Sequence, residues 1–196
     1  MLPRVVVITD WSVVREEITR VLRALEPLGA AVAIQHRHPE ATPRAFLEEA
    51  RFLRASSSLP LFVNGRLDVA LLVGAHLHLP VDGPSVAQVR PHLPAGAQVS
   101  VAVHSQAELP RAVGASFALV SPVFPPGSKP EDTRPPLGPD GFESLANALG
   151  CAAFALGGVT PRTLRAFHPK GAAVLSQIWR VNEPRGLVER MIEALD

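Results

Sequence analysis

Residues that bind anions stand where short apolar segments of this chain end. The pair Gly157 and Gly158 ends one segment and opens a helix, so its backbone N–H groups favour a phosphate, although a tight turn that requires glycine is the alternative. Ser176 and Gln177 end the last segment and add further N–H groups and a hydroxyl. Arg37 ends another, and its planar guanidinium suits a phosphate or a carboxylate. The sequence therefore predicts a phosphate site at Gly157, Gly158, Ser176 and Gln177.

Lys129 supplies a cation in a loop that follows a further apolar segment. Residues 119–129 read Leu-Val-Ser-Pro-Val-Phe-Pro-Pro-Gly-Ser-Lys. The prolines restrict the conformations of this loop, while Gly127 can adopt a positive φ. The lysine ammonium suits a phosphate, and a surface turn with a solvated lysine is the alternative. We expect Lys129 and Arg37 to contribute to catalysis.

Polar side chains at the other segment ends could contact a substrate and move protons. His78 and His104 can act as an acid or a base near neutral pH, although a histidine in a strand often has a structural role. Asn64 can orient a ring or a carbonyl, or it can cap a turn. Gln35 and Ser121 lie at two further segment ends. We expect His104 to be catalytic and the other four residues to bind the substrate.

The segment around Arg37 has two faces if it is a strand. Side chains alternate along a strand, so Gln35 and Arg37 share one face and His36 and His38 share the other. Arg37 then points into the site. We expect the two histidines to pack against other residues or to be solvated rather than to catalyse.

The elements that must position these residues alternate along the chain. Short β-branched and apolar runs predict eight strands, at residues 5–10, 31–37, 59–65, 76–80, 98–104, 117–122, 152–158 and 172–178. Helical spacing predicts eight helices, at residues 13–26, 43–55, 67–73, 85–92, 106–113, 141–149, 161–167 and 184–195. This alternation predicts a single (β/α)₈ barrel over residues 1–196, with a doubly wound open sheet as the alternative. Active sites of such barrels lie at the carboxyl ends of the strands, where the polar residues fall.

Composition excludes several classes of function. The chain has 196 residues, 47% of them apolar, which is enough for a substantial core. A net charge of +1 argues against nucleic acid or an anionic membrane as a partner. The lone Cys151 favours a reducing compartment, and the sequence shows neither a signal peptide nor a spanning segment, so we expect a soluble cytoplasmic protein. No histidines or cysteine have zinc-ligand spacing, so no metal site is predicted.

Motifs spread over almost the whole chain resemble those of the thiamine phosphate synthase and TenI family. They are Ile8-Thr9-Asp10, Gln35-His36-Arg37, Asn64-Gly65-Arg66-Leu67-Asp68, His78-Leu79, Pro122-Val123-Phe124-Pro125 with Ser128-Lys129, Leu156-Gly157-Gly158-Val159 and Val174-Leu175-Ser176-Gln177-Ile178. The resemblance implies a (β/α)₈ barrel of thiamine biosynthesis that binds a thiazole phosphate, with the Gly157–Gly158 and Ser176 loops around the phosphate. It is compatible with a homodimer.

Departures from the family motifs bear on which reaction to expect. In the synthases, aspartates hold the leaving pyrophosphate of a pyrimidine substrate through Mg²⁺. Here Gly65 stands at the first of these positions and Gly83 at the second, with Asp82 next to it. TenI proteins instead aromatise a thiazole carboxylate phosphate tautomer without a metal, and the place of their proposed catalytic histidine is taken by Pro122.

Three functions follow from the resemblance. We expect a TenI-like thiazole tautomerase without a cofactor, in which His104, His36 or His78 is the base. The first alternative is a thiamine phosphate synthase that uses Mg²⁺, with Asp82 or Asp10 as a ligand. The second alternative is a relative that binds a thiazole phosphate without catalysis.

Overall fold

Short parallel strands close into a barrel in the computed structural model, which describes residues 1–125 and 135–196. In the described residues the strands are β1 Val5–Ile8, β2 Val32–His36, β3 Leu61–Asn64, β4 His76–Leu79, β5 Val99–Val103, β6 Phe117–Val120, β7 Ala152–Ala155 and β8 Gly171–Val174. Each strand pairs with the next along the chain, and β8 pairs with β1. The predicted (β/α)₈ barrel is confirmed, and the open-sheet alternative is wrong.

Helices connect the strands on the outside of the barrel. The α-helices of the described residues are α1 Arg15–Leu25, α2 Pro43–Ser56, α3 Leu67–Val73, α4 Val86–Val89, α5 Gly138–Ala148, α6 Pro161–Leu164 and α7 Pro184–Glu193. Turns of 3₁₀ helix span Glu26–Ala31, Arg90–His92, Gln106–Ala112 and Ile178–Arg180. Among the described helices, none combines the length and the hydrophobicity needed to cross a bilayer.

The fifth connection differs from the prediction. The sequence predicts a helix over residues 106–113, but Gln106–Ala112 forms a 3₁₀ helix that contains Pro110. Proline lacks the N–H that an α-helix needs, and its ring clashes with the carbonyl four residues earlier. The prediction of an α-helix is therefore wrong here, and the connection from β5 to β6 is a tighter turn.

Alternation along the strands separates two apolar cores. Val6, Phe62 and Phe154 belong to a buried cluster formed by side chains that point into the barrel. Val5 and Val7 point outward and belong to the larger cluster that includes the helices. Side chains near the carboxyl ends of the strands lie above the inner cluster, so the floor beneath them is apolar.

Candidate active site

A cavity of about 420 Å³ opens at the carboxyl ends of the strands. The residues predicted to bind the substrate or its phosphate line this cavity, together with Arg37 and His104; they are Gln35, Arg37, Asn64, His78, His104, Ser121, Gly157, Gly158, Ser176 and Gln177. His36, the third candidate base, does not line it. Lys129, the remaining predicted residue, lies outside the described residues. The sequence therefore locates this site, while the roles of its residues remain predictions.

His78 is a buried, neutral imidazole in the wall of the cavity. It lies beside Asn64 on the neighbouring strand β3 and beside Ser100 on the neighbouring strand β5, and its Nδ1 lies 2.9 Å from Ser100 Oγ. Burial lowers its pKa to about 3, and the charges of Arg37 and His104 act in the same direction. At neutral pH this ring can exchange hydrogen bonds with a ligand but does not carry a charge.

His104 is held by a carboxylate that our sequence reasoning missed. One oxygen of Glu108 accepts the backbone N–H of His104 at 2.7 Å and lies 3.1 Å from its Nδ1. A carboxylate at Nδ1 favours the proton on that nitrogen, so Nε2 is the nitrogen left to meet a ligand. The signal for Glu108 was its position four residues after His104, just beyond the strand.

Arg37 lines the cavity, and its main chain is held by hydrogen bonds to Thr9, the residue that follows β1. Its N–H donates to Thr9 Oγ1 at 3.0 Å, and Thr9 Oγ1 donates to its carbonyl at 3.2 Å. The guanidinium makes no hydrogen bond or ion pair with any other described residue, so it can take an anionic group of a ligand. Gln35, on the same face of β2, is 2% exposed and lines the cavity below it.

The glycine pair after β7 is required by packing. Gly157 and Gly158 have positive φ values of 92° and 63°. A Cβ atom on Gly157 would lie 2.9 Å from Pro122 Cα, and one on Gly158 would lie 2.7 Å from Phe124 Cβ. Phe124 N also donates to Gly157 O at 3.0 Å, so the start of the β6 loop lies directly on these glycines. The need for a tight, closely packed turn therefore explains in part why glycine occupies both positions.

The same loops offer unpaired backbone donors. The N–H groups of Gly157, Gly158, Ser176 and Gln177 have no acceptor among the described residues. Successive free N–H groups at neighbouring strand ends form a concave donor surface that suits a phosphate. This arrangement is what the predicted phosphate site needs.

The described lining carries no carboxylate. None of the lining residues is Asp or Glu, and Asp82 is exposed outside the cavity. The Asp10 carboxylate accepts the N–H and hydroxyl of Ser12 at 3.0 and 2.6 Å. Within the described residues, no group of three or more His, Cys, Asp and Glu side chains could hold a metal ion. Because Mg²⁺ prefers carboxylate ligands, the donors in this part of the chain do not fit a Mg²⁺ site.

The fold and the cavity together define a class. Polar side chains converge at the carboxyl ends of the strands of a closed (β/α)₈ barrel. This arrangement is typical of barrel proteins that bind a small molecule at that face. The family model described as thiamine monophosphate synthase matches residues 5–179. The chain belongs to this family, and the family resemblance of its motifs is confirmed.

Relatives agree on the family. Thiamine-phosphate synthase of Chloroflexus aurantiacus is 33% identical over 162 residues, which cover 80% of this chain and 74% of that protein. The protein of the same name from Salinispora arenicola is 32% identical, with 99% of this chain and 98% of that protein covered. The solved thiamine phosphate pyrophosphorylase from Pyrococcus furiosus has a TM-score of 0.79 at 26% identity, covering 98% of this chain and 95% of that one. These names do not single out the TenI branch.

Proposed function

We propose that this protein binds a thiazole phosphate and catalyses a metal-independent proton transfer on it, as a thiazole tautomerase. One observation carries the proposal. The described lining of the cavity contains two histidines and an arginine but no carboxylate. Such a lining can bind an anionic ligand directly and move its protons, because it has donors for the anion and imidazoles as acid and base.

The ligand lies across the mouth of the barrel. Its phosphate accepts hydrogen bonds from backbone N–H groups in the loops that follow β7 and β8, at Gly157–Gly158 and Ser176. Its ring then extends over β3 to β6, where Asn64 and Ser121 fix the orientation. A second anionic group, the carboxylate of a thiazole carboxylate phosphate, pairs with Arg37.

His104 is the base in this proposal. Its Nε2 takes the proton from the ring carbon of the tautomer as the ring becomes aromatic, and the same imidazolium then returns a proton to the acceptor carbon. Glu108, at Nδ1, stabilises the imidazolium while it exists. His78 stays neutral and donates a hydrogen bond to the ring, because its lowered pKa prevents it from competing for the proton.

The decisive assay follows tautomer consumption by proton NMR with purified protein and excess EDTA. We expect turnover in the wild type, and a loss of at least about 100-fold for His104→Ala, which removes the base. His92→Ala, a change at an exposed histidine away from the cavity, is the matched control. Turnover at the parent rate by His104→Ala would refute the role of His104, and no turnover by the wild type would refute the tautomerase.

A thiamine phosphate synthase is the second candidate, and the names of the relatives favour it. It predicts thiamine phosphate formation from the pyrimidine diphosphate and the thiazole phosphate, dependent on added Mg²⁺. The described carboxylates speak against it, because Asp10 and Asp82 do not line the cavity. Tight thiazole phosphate binding without either reaction would instead identify a relative that only binds the ligand.

A further inference from the structure

Four side chains on the outer side of β2 form a connected polar cluster that the proposed reaction does not use. They are Trp11, His36, His38 and Glu49, and we refer to them as the outer cluster. His36 is fully buried, and Glu49, on α2, is only 7% exposed. The cluster lies directly behind Arg37, because His36 and His38 flank this residue and point away from the cavity.

His36 has a fixed tautomer. Trp11 Nε1 can only donate, and it lies 3.2 Å from His36 Nδ1, so Nδ1 is the acceptor. The other nitrogen, Nε2, therefore carries the proton and donates it to the carbonyl of Phe46 at 3.0 Å. Burial lowers the pKa of His36 to about 4, which keeps the ring neutral. Both bonds tie the end of β2 to its neighbours.

His38 is held by Glu49. Its Nδ1 lies 2.9 and 3.1 Å from the two carboxylate oxygens, and its ring stacks on Trp11 at a centroid distance of 6.0 Å. Glu49 Oε2 also lies 3.6 Å from His36 Nε2. Arg66, which precedes α3, is bound to Asp68 at 2.6 Å. Glu49 is thus held mainly by its contacts with His38, and His36 lies beside it.

This arrangement is not explained by stability. Burying a carboxylate is costly, and replacing a buried polar pair by apolar residues of similar size is often neutral or stabilising. What the pair does fix is geometry. The Arg37 main chain is bound by Thr9 on one side, and its two neighbours are bound by Glu49, Trp11 and Phe46 O on the other. The Arg37 side chain, by contrast, has no hydrogen-bond partner among residues 1–125 and 135–196.

We propose that Glu49 is a positioning residue for Arg37: it holds His38, and through His38 the main chain that presents the guanidinium to the cavity. The inference rests on the proposed function in one respect, that the group bound by Arg37 is the carboxylate of the ligand. Glu49 acts on affinity for that carboxylate and has no contact with the ligand itself.

The experiment compares the Kd of thiazole carboxylate phosphate with that of thiazole phosphate, measured by calorimetry at equilibrium. Because the two ligands differ in the carboxylate, the ratio of their Kd values reports how much that group contributes to binding. Arg37→Met should lower the preference for the carboxylate at least about tenfold, because a charge-assisted bond is lost. Glu49→Leu should lower it about fivefold through displacement of the guanidinium.

Two further variants separate positioning from folding. Glu49→Gln keeps an oxygen for His38 Nδ1 and should restore the preference to within about twofold. Glu48→Leu is the matched control, since Glu48 lies next to Glu49 on α2 but is exposed and accepts a hydrogen bond from Arg44 Nε at 2.9 Å. It should leave the preference unchanged. In the double variant Arg37→Met with Glu49→Leu, the preference should be no lower than in Arg37→Met alone.

Other results would overturn the inference. If Glu49→Leu lowers the melting temperature but leaves the Kd ratio at the wild-type value, Glu49 is structural only. If the two single changes add in the double variant, Glu49 does not act through Arg37. A crystal structure of Glu49→Leu gives a test without any ligand, because unchanged positions for residues 36–38 would also refute the inference. Absence of binding by the wild type would instead count against the proposed function, and the structure of the variant would still decide the role of Glu49.

Discussion

Two neutral, buried histidines should make the stability of this protein fall as the pH is lowered from 7 to 5. Burial lowers the pKa of His36 to about 4 and that of His78 to about 3, from an ordinary value of 6.5. In the unfolded chain both rings bind a proton near pH 6.5, whereas in the folded protein they do so only at a much lower pH. The unfolded state thus binds more protons throughout this window, so stability is complete above pH 6.5 and is lost as the pH falls.

The expected loss follows from these values. Each histidine destabilises the folded state by about 2 kcal/mol between pH 7 and pH 5, so the pair lowers the free energy of unfolding by about 4 kcal/mol. His76, whose pKa is also lowered by burial, acts in the same direction. The carboxylates with lowered pKa values titrate mainly below pH 4.5 and contribute little in this window.

Urea denaturation followed by circular dichroism measures the effect at both pH values. His78→Gln and His36→Gln should each reduce the fall by about 2 kcal/mol, whatever they do to stability at pH 7. His92→Gln, a change at an exposed histidine, should leave the fall unchanged. If the variant lacking both buried histidines still lost about 4 kcal/mol, the proton uptake would come from other groups and the reasoning would be refuted.

Three further predictions concern the cavity. Gly158→Ala should destabilise the fold by at least about 2 kcal/mol in thermal unfolding, because the new Cβ meets Phe124, while Gly150→Ala, with open space around it, should have little effect. Glu108→Gln should lower kcat for the tautomer at least about tenfold with little change in KM, since the imidazolium loses its carboxylate. An unchanged kcat with a tenfold rise in KM would argue against this role. Arg111→Met should weaken thiazole phosphate binding about threefold. Arg111 donates to Pro80 O and Gly83 O at 3.1 and 2.6 Å and so holds a turn at the cavity edge. An unchanged affinity in calorimetry would show that this turn does not shape the site.

The barrel and the location of its site could be predicted because both follow from local signals. Each strand is a short apolar run, and each run ends in a polar residue such as Asn64 or Ser121. Parallel strands in a closed barrel bring all such ends to one rim, so the convergence of these residues needs no knowledge of individual contacts. The α-helix wrongly predicted in the fifth connection also has a local cause, because Pro110 makes this segment a 3₁₀ helix.

The supporting contacts could not be predicted in the same way. Ser100 meets His78 only through the register of β4 and β5, and Glu49 meets His38 only because α2 packs on β2 at a particular angle. Sequence spacing does not encode a strand register or a helix packing angle. For this reason the sequence identified the residues that line the cavity, and the structure was needed to find those that hold them.

Two differences between this chain and the synthase motifs lie in loops, at Gly65 and Gly83. Gly65 has a φ of 71°, and a Cβ on Gly83 would lie 3.2 Å from two Pro80 atoms, so a compact turn has formed where the synthase motif carries an aspartate. The strands beneath this turn and the glycine loop after β7 lie within residues 5–179, which the family model matches. Because each polar group comes from a separate strand end or loop of the barrel, losing the carboxylates need not disturb the predicted phosphate site or the histidines. Family membership therefore constrains the ligand more strongly than the reaction, which depends on the groups that line this cavity.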